Sequence, residues 1–185
     1  MLTKIGIAVG VVVVGLAAYI ASRPSEFRIS RTRTLAARPE VVHAYVNDFH
    51  RWPEWSPWER LDPDLKREYS GAASGPGAIY SWSGNREVGE GRMMITDSRP
   101  PQAITIRLEF LKPWKATNTT QFDFTPSGTG TGVTWTMSGY NNFAAKAFGL
   151  FMNMDRLVGS SFEKGLANLD ATTAAAPARS AGERS

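Results

Sequence analysis

The hydrophobic positions near the end of the chain recur with the period of an α-helix. From Asn142 to Asp170 no proline interrupts the chain, and one side of the predicted helix is mostly apolar. This side carries Phe148, Phe151, Asp155, Val158, Phe162, Leu166 and Leu169. The pattern predicts one long amphipathic helix, with Asn141 or Asn142 as its N-cap. Such a helix needs an apolar partner surface of about its own length.

Upstream of this helix, the pattern changes to the alternation that is typical of β-strands. In the clearest case, apolar Ile104, Ile106 and Leu108 alternate with polar Thr105 and Arg107. Turn residues separate the predicted strands, which are 26–36, 66–70, 78–83, 91–97, 103–111, 115–125 and 132–139. About seven strands with one apolar side each predict an antiparallel sheet with one wet face. The long helix would cover the other face.

Two short helical pieces are predicted between the first and second strands. Pro39 suits the first turn of a helix, and His43 lies off its apolar stripe, which predicts a solvent-facing imidazole. Trp52, Trp55 and Trp58 follow at three-residue spacing, broken by prolines. We expect these indoles to close one end of the core, although a ligand-stacking or membrane-facing role is the alternative.

The N-terminal segment 5–21 is apolar and uncharged, between Lys4 and Arg23. Its length is at the short end of the range for a membrane-spanning helix. The exit from Tyr19 to Ser22 is a poor signal-peptidase site, so we predict an uncleaved single-pass anchor. Arginines after the span favour a cytoplasmic domain, but several of them belong to the first predicted strand, which leaves the side open.

Composition limits the possible functions. The 185 residues are 42% hydrophobic and 21% charged, as in a globular protein. There is no cysteine and only two histidines, so no metal site and no cofactor are predicted. A net charge of +4 is too small to indicate nucleic-acid binding. The predicted organisation is an anchor and linker (1–25), a folded domain (26–170) and a disordered tail (171–185).

The order of elements and several local motifs resemble the START-like superfamily, in the polyketide cyclase/dehydrase and lipid-transport group often called SRPBCC. The resemblance covers 26–169 and lies in the aromatic segment 51–59 with Asp62-Pro63, the glycine-rich turn 71–77, the turn 111–113 and the closing segment 152–169. It implies an α+β helix-grip fold, in which a curved sheet wraps around the C-terminal helix. It also implies an elongated apolar cavity between the two.

A small hydrophobic ligand, such as a lipid or a polyketide-like molecule, is the partner that this resemblance implies. The predicted ligand-binding residues are Trp55, Trp82, Phe110, Trp135, Phe148, Phe151, Met152, Asp155 and Phe162. Asp155 is unusual because an unpaired carboxylate on the apolar side is costly. We expect it to form an ion pair with an arginine such as Arg92 or Arg107, with a polar anchor for ligand or a general acid or base as alternatives.

Three functions are therefore considered. The first is a membrane-tethered binding module for a small hydrophobic ligand, with no catalytic residue. The second is a polyketide cyclase-type enzyme that uses Asp155 or Tyr80 in the same cavity. The third is a protein-interaction domain with a filled core, as in the co-chaperone branch of the superfamily. No residue pattern in the sequence identifies a protein partner.

Overall fold

The computed structural model of the protein describes residues 2–175. The α-helices in this range are α1 (Leu2–Ser22), α2 (Pro39–Val46), α3 (Trp52–Trp55), α4 (Phe143–Phe148) and α5 (Met154–Ala174). The strands are β1 (Glu26–Leu35), β2 (Lys66–Gly71), β3 (Ala78–Ser83), β4 (Glu90–Arg99), β5 (Ala103–Lys112), β6 (Ala116–Ser127) and β7 (Gly130–Tyr140). Two 3₁₀ turns, Phe49–Arg51 and Pro57–Arg60, flank α3.

The strands form one antiparallel sheet in the order β1-β7-β6-β5-β4-β3-β2. Alternation along the paired strands gives the sheet one apolar face, which we call the inner face. On it, Ile29 is paired with Met137, and Phe122 lies between Ile104 and Trp135 on the neighbouring strands. The curved seven-stranded sheet with a long C-terminal helix confirms the predicted α+β helix-grip fold.

The helix predicted from Asn142 to Asp170 is in fact two helices, α4 and α5. The side chain of Asn142 caps α4 by accepting from the backbone N–H of Ala145, as predicted. The side chain of Asn153 then accepts from the N–H of Arg156 and starts a second helix. The prediction of a single helix is therefore wrong, because a second N-cap lies inside the apolar period. We call the segment between the helices, residues 149–153, the α4–α5 junction.

Helix α5 runs in the same direction as β1 and covers only its second half. The first turn of α5 lies beside Arg31, in the middle of β1, where Arg31 contacts Asp155. Near the other end, Asp170 accepts from the backbone N–H of Ala36. The helix continues to Ala174, beyond the domain boundary predicted at residue 170. The rest of the predicted disordered tail, 176–185, lies outside the described residues.

His43 is buried, so its predicted solvent-facing position is wrong. Its side chain is 5% exposed, its ring meets Phe124 edge-on, and Nε2 lies 3.2 Å from the Ser98 hydroxyl. The residue was misplaced because α2 packs against the sheet and against α5, so more than one of its sides is covered. Burial lowers the pKa of the imidazole below its ordinary value, against a smaller opposing effect of the contact with the Ala103 backbone.

The burial of His43 predicts that the domain loses stability under mildly acidic conditions. In the unfolded chain, His43 takes up a proton near pH 6.5, whereas in the folded chain it does so only at a lower pH. Between these two pH values the unfolded state therefore binds more protons than the folded state. The stability that depends on neutral His43 is fully present above the ordinary pKa of histidine. It is lost as the pH falls toward the lower pKa of His43 in the folded chain. We expect the Tm of the wild type to fall more steeply than that of His43→Gln between about pH 7 and pH 5.

His50 provides the internal control for this comparison, because it is exposed and present in both proteins. Parallel Tm profiles for the wild type and His43→Gln would contradict a buried neutral imidazole.

Candidate functional site

The half of the interior beneath α5 is filled by aromatic side chains. Trp135 on β7 stacks on Phe162 of α5, with ring centroids 4.2 Å apart and planes 7° from parallel. Trp55 meets Trp135 and Phe122 edge-on. Gly165 makes this packing possible, since a Cβ there would lie 2.7 Å from the Trp135 ring. This aromatic cluster closes the core, as the sequence predicted: Trp55, Trp135 and Phe162 are buried in ring-to-ring contacts, and their predicted contact with a ligand stays a prediction.

The other half of the inner face, toward the start of β1, is only partly covered. Here inward positions on β1, β3 and β5 carry half-buried apolar side chains: Phe27, Trp82, Leu108 and Phe110. Trp82 and Phe110 meet edge-on with centroids 6.1 Å apart. Because α5 begins only at the middle of β1, these side chains stay partly exposed at this end of the inner face, beside the core against which they pack. We call the part of the inner face formed by these four residues the apolar trough.

Asn118 supplies an amide to the trough. It occupies an inward position on β6, paired with Leu108 on one side and Gly139 on the other. The residue is 8% exposed, and its amide Nδ2 lies 3.9 Å from the sulfur of Met137, a weak acceptor. Asn118 was not among the predicted ligand-binding residues. Asn118 could have been found from the sequence, because it shares the alternation of Phe122 and Phe124 and is therefore a polar residue at an inward position of their strand.

A second polar group that the sequence analysis missed is Glu59, whose buried carboxylate is fully paired. One oxygen accepts from the Tyr80 hydroxyl at 2.6 Å and the other from Arg67 Nε at 2.6 Å. Burial, together with this hydrogen bond to the carboxylate, raises the pKa of Tyr80 above its ordinary value. Tyr80 is therefore a neutral donor engaged with Glu59, which argues against its predicted use as an acid or base.

Asp155 is an exposed member of an ion pair and does not point into the interior. Arg31 donates to both of its carboxylate oxygens, at 3.0 and 3.2 Å, and to Glu163 at 2.9 Å. The Arg31 guanidinium lowers the pKa of the Asp155 carboxyl. The ion pair agrees with the structural role that was expected, but the partner is Arg31 and not Arg92 or Arg107, both of which contact Glu109.

Phe148, Phe151 and Met152 were predicted to face the interior, and this placement is wrong. Phe148 is 56% exposed, Phe151 is 87% exposed, and Met152 is also exposed. The cause is the break between α4 and α5, which separates these residues from the helical phase that buries Phe162 and Leu166. Of the nine predicted ligand-binding residues, Trp82 and Phe110 lie in the apolar trough.

A surface depression of about 760 Å³ lies on the opposite side of the sheet. Most of its lining comes from outward positions, such as Arg28, Arg107 and Thr119. Polar and apolar surface contribute about equally to its lining, which distinguishes it from the predicted apolar cavity. Within residues 2–175, no cluster of three or more His, Asp or Glu side chains could hold a metal ion.

Helix α1 lies outside the sheet and keeps its apolar side chains exposed, Val11, Val12 and Val14 among them. Residues Lys4–Ser22 have a mean hydropathy of 2.3, which is sufficient for a membrane-spanning helix by length and composition. An N-terminal signal sequence meets the same criteria. The C-terminal end of α1 contacts α4, where Lys146 Nζ donates to the carbonyl oxygen of Ala21 at 3.2 Å.

The fold defines a helix-grip protein with an aromatic core beneath α5 and half-buried apolar side chains at the other end of the inner face. Residues 26–174 match the family model described as polyketide cyclase / dehydrase and lipid transport. The chain belongs to this family, and the resemblance seen in the sequence is confirmed at that level. A search of curated proteins found no significant match.

Solved structures agree on the architecture. The protein Mll3558 from Rhizobium loti is 25% identical, with a TM-score of 0.55 over 79% of this chain and 96% of its own. The di-domain aromatase/cyclase (ARO/CYC) BexL from the BE-7585A biosynthetic pathway is 15% identical, with a TM-score of 0.61 over 85% of this chain and 53% of its own. The Aha1 dimer from Colwellia psychrerythraea is 16% identical, with a TM-score of 0.53 over 78% and 95%. At 15% and 16% identity, the last two similarities show the fold alone.

Proposed function

We propose that the protein is a membrane-anchored binding module for one small hydrophobic molecule, which is held in the apolar trough. The observation that carries this proposal is the half-burial of four inward apolar side chains, Phe27, Trp82, Leu108 and Phe110, beside an aromatic core that α5 covers. Apolar side chains that line a concavity gain free energy by excluding water, and a ligand can provide that burial.

Asn118 is the group that would orient the ligand. An amide is both a donor and an acceptor, so it can pair with a hydroxyl, a carbonyl or a protonated carboxyl group. Such a pair is strengthened by the low-dielectric surroundings of the trough. We therefore propose a ligand with an apolar body and one polar group. Membership of a lipid-transport and cyclase family supports this class of molecule.

Binding without catalysis is favoured over a cyclase reaction. General acid–base catalysis needs a titratable group within hydrogen-bond reach of the ligand. Tyr80 is occupied by Glu59, and Asp155 lies on the surface with Arg31. The group that faces the trough, Asn118, does not titrate. The di-domain ARO/CYC BexL shares the fold at 15% identity, which supports the architecture and no particular reaction in this chain.

Blocking the trough is expected to abolish ligand binding. Leu108→Trp adds a large side chain at an inward position of β5, whereas Thr119→Trp places the same side chain on the outer face of β6. We expect Leu108→Trp to lose binding of a fluorescent fatty acid, with Thr119→Trp close to the wild type. The measurement is a fluorescence titration of the full-length chain in detergent micelles.

Asn118→Leu tests the polar group separately and is expected to weaken binding of the fatty acid more than binding of a hydrocarbon probe. If Thr119→Trp, and not Leu108→Trp, removes binding, the ligand site is the outer depression and the proposal is wrong. Turnover of an ester or polyketide-like substrate that depends on Asp155 would favour the enzymatic alternative.

A further inference from the structure

One end of the domain carries exposed aromatic side chains from segments that are far apart in sequence. Trp114, in the turn between β5 and β6, is 78% exposed, and Phe151 of the α4–α5 junction is 87% exposed. Tyr140 at the end of β7, and Phe143 and Phe148 on α4, are also exposed. We call these five residues the aromatic rim. An exposed apolar group of this kind in a soluble domain requires an explanation.

The aromatic rim lies at the end of the sheet where α1 leaves the domain. Strand pairing joins Tyr140 of β7 with Glu26, the first residue of β1, and Asn118 of β6 with Gly139. The β5–β6 turn that carries Trp114 therefore extends past the level of Glu26. Helix α4 follows β7 directly and contacts the C-terminal end of α1 through Lys146 and Ala21.

The charges at this end suit a lipid surface. Arg23 follows α1, with its guanidinium carbon 5.9 Å from the centre of the Tyr19 ring. Tyrosine and arginine at the end of an apolar span are typical of the membrane–water interface. Lys115 follows Trp114 directly, and Lys146 lies on α4 between Phe143 and Phe148. Basic residues interleaved with exposed aromatics favour anionic headgroups above an acyl layer.

We infer that the aromatic rim is a lipid-contacting surface that inserts into the same bilayer that α1 spans. This inference depends on the anchor in the proposed function. In this orientation of the domain, the β5–β6 turn and the α4–α5 junction lie against the lipid headgroups. In the trough, Trp82 and Phe110 lie near the strand ends at this end of the sheet, so the surface would bring the trough to the acyl layer and let a hydrophobic molecule enter without crossing water.

The absence of cysteine from the chain allows a direct test with single labels. Trp114→Cys and Met152→Cys place a thiol-linked fluorophore at the proposed surface, and the second variant keeps Phe151. Thr129→Cys, in the exposed turn between β6 and β7, is the matched control at the opposite end of the sheet. The full chain is reconstituted into vesicles of phosphatidylcholine and phosphatidylglycerol and is quenched either by spin-labelled lipid or by aqueous iodide.

We expect lipid-borne quencher to remove most of the fluorescence at positions 114 and 152, with iodide effective only at position 129. Iodide quenching at all three positions would overturn the inference while leaving the anchor intact. Protection from both quenchers at 114 and 152 would also overturn it, because a protein partner or a second copy would then cover the surface. Failure of the chain to float with the vesicles would remove the anchor, and the inference with it.

Discussion

Replacement of Trp135 by alanine is expected to remove a large part of the stability of the domain. The indole contacts the rings of Trp52, Trp55, Trp58, Phe122 and Phe162, and thereby joins the sheet to α3 and α5. Truncation of a buried tryptophan costs about 3–5 kcal/mol, against a total of about 5–15 kcal/mol for a typical domain. Denaturant unfolding, followed by near-UV circular dichroism of the full chain in detergent, measures the loss.

Trp114→Ala is the matched control for this substitution. Its indole is exposed, so the same chemical change should alter the unfolding free energy by less than about 0.5 kcal/mol. Equal unfolding midpoints for Trp135→Ala and Trp114→Ala would show that the aromatic cluster does not form the core, and the description of the filled half of the interior would be wrong.

Two charges in the middle of α1 are expected to release the protein from membranes. Val12 and Val13 lie at the centre of the apolar segment. An aspartate at the centre of a spanning helix costs about 2.5–3.5 kcal/mol on insertion scales, so the double substitution to aspartate costs about 5–7 kcal/mol. Fractionation after alkaline extraction should find the wild type in the membrane pellet and the double variant outside it.

A double substitution of Val12 and Val13 by leucine is the control, and it should remain in the membrane pellet. Intact mass of the membrane-bound protein gives a second readout, because an uncleaved anchor retains residues 1–25. Loss of this segment from the mature protein would identify a signal sequence and would contradict the anchor. An aspartate variant that still resists alkaline extraction would contradict it as well.

The fold could be predicted from the sequence because its pattern is local and repeated. Alternation along β5, with Ile104, Ile106 and Leu108 on one side, identifies the buried face of a strand without knowledge of its neighbours. The apolar period that includes Phe162 and Leu166 identifies α5 in the same way. The family was implied by the resemblance of local motifs, such as the aromatic segment between the first two strands, and is shown by the match of residues 26–174 to the family model.

The candidate site was predicted less well, because its positions depend on tertiary contacts. The sequence does not show that α5 begins beside Arg31, and this position decides which half of the inner face stays open. The break at Asn153 could have been anticipated, since asparagine is a preferred N-cap, but the apolar period continues across it. Phe148 and Phe151 are therefore residues of a type that is usually buried, but they lie on the surface.

Polar side chains in the interior were the hardest to predict. Asn118 and Glu59 are ordinary surface residue types, and only the strand register and the fold place them inside. Glu59 is stabilised there by Tyr80 and Arg67, which come from different strands. Such pairs depend on how distant segments of the chain pack together. The local spacing of residues in one sequence does not reveal this packing.

Native mass spectrometry of the full chain, released gently from membranes, tests the central claim most directly. The account predicts a complex with one bound hydrophobic molecule in the wild type. The same measurement on Leu108→Trp should give the mass of the protein alone, and Thr119→Trp should retain the ligand. A wild-type protein that carries no small molecule, and that takes up none from added lipid, would contradict a binding function for the apolar trough.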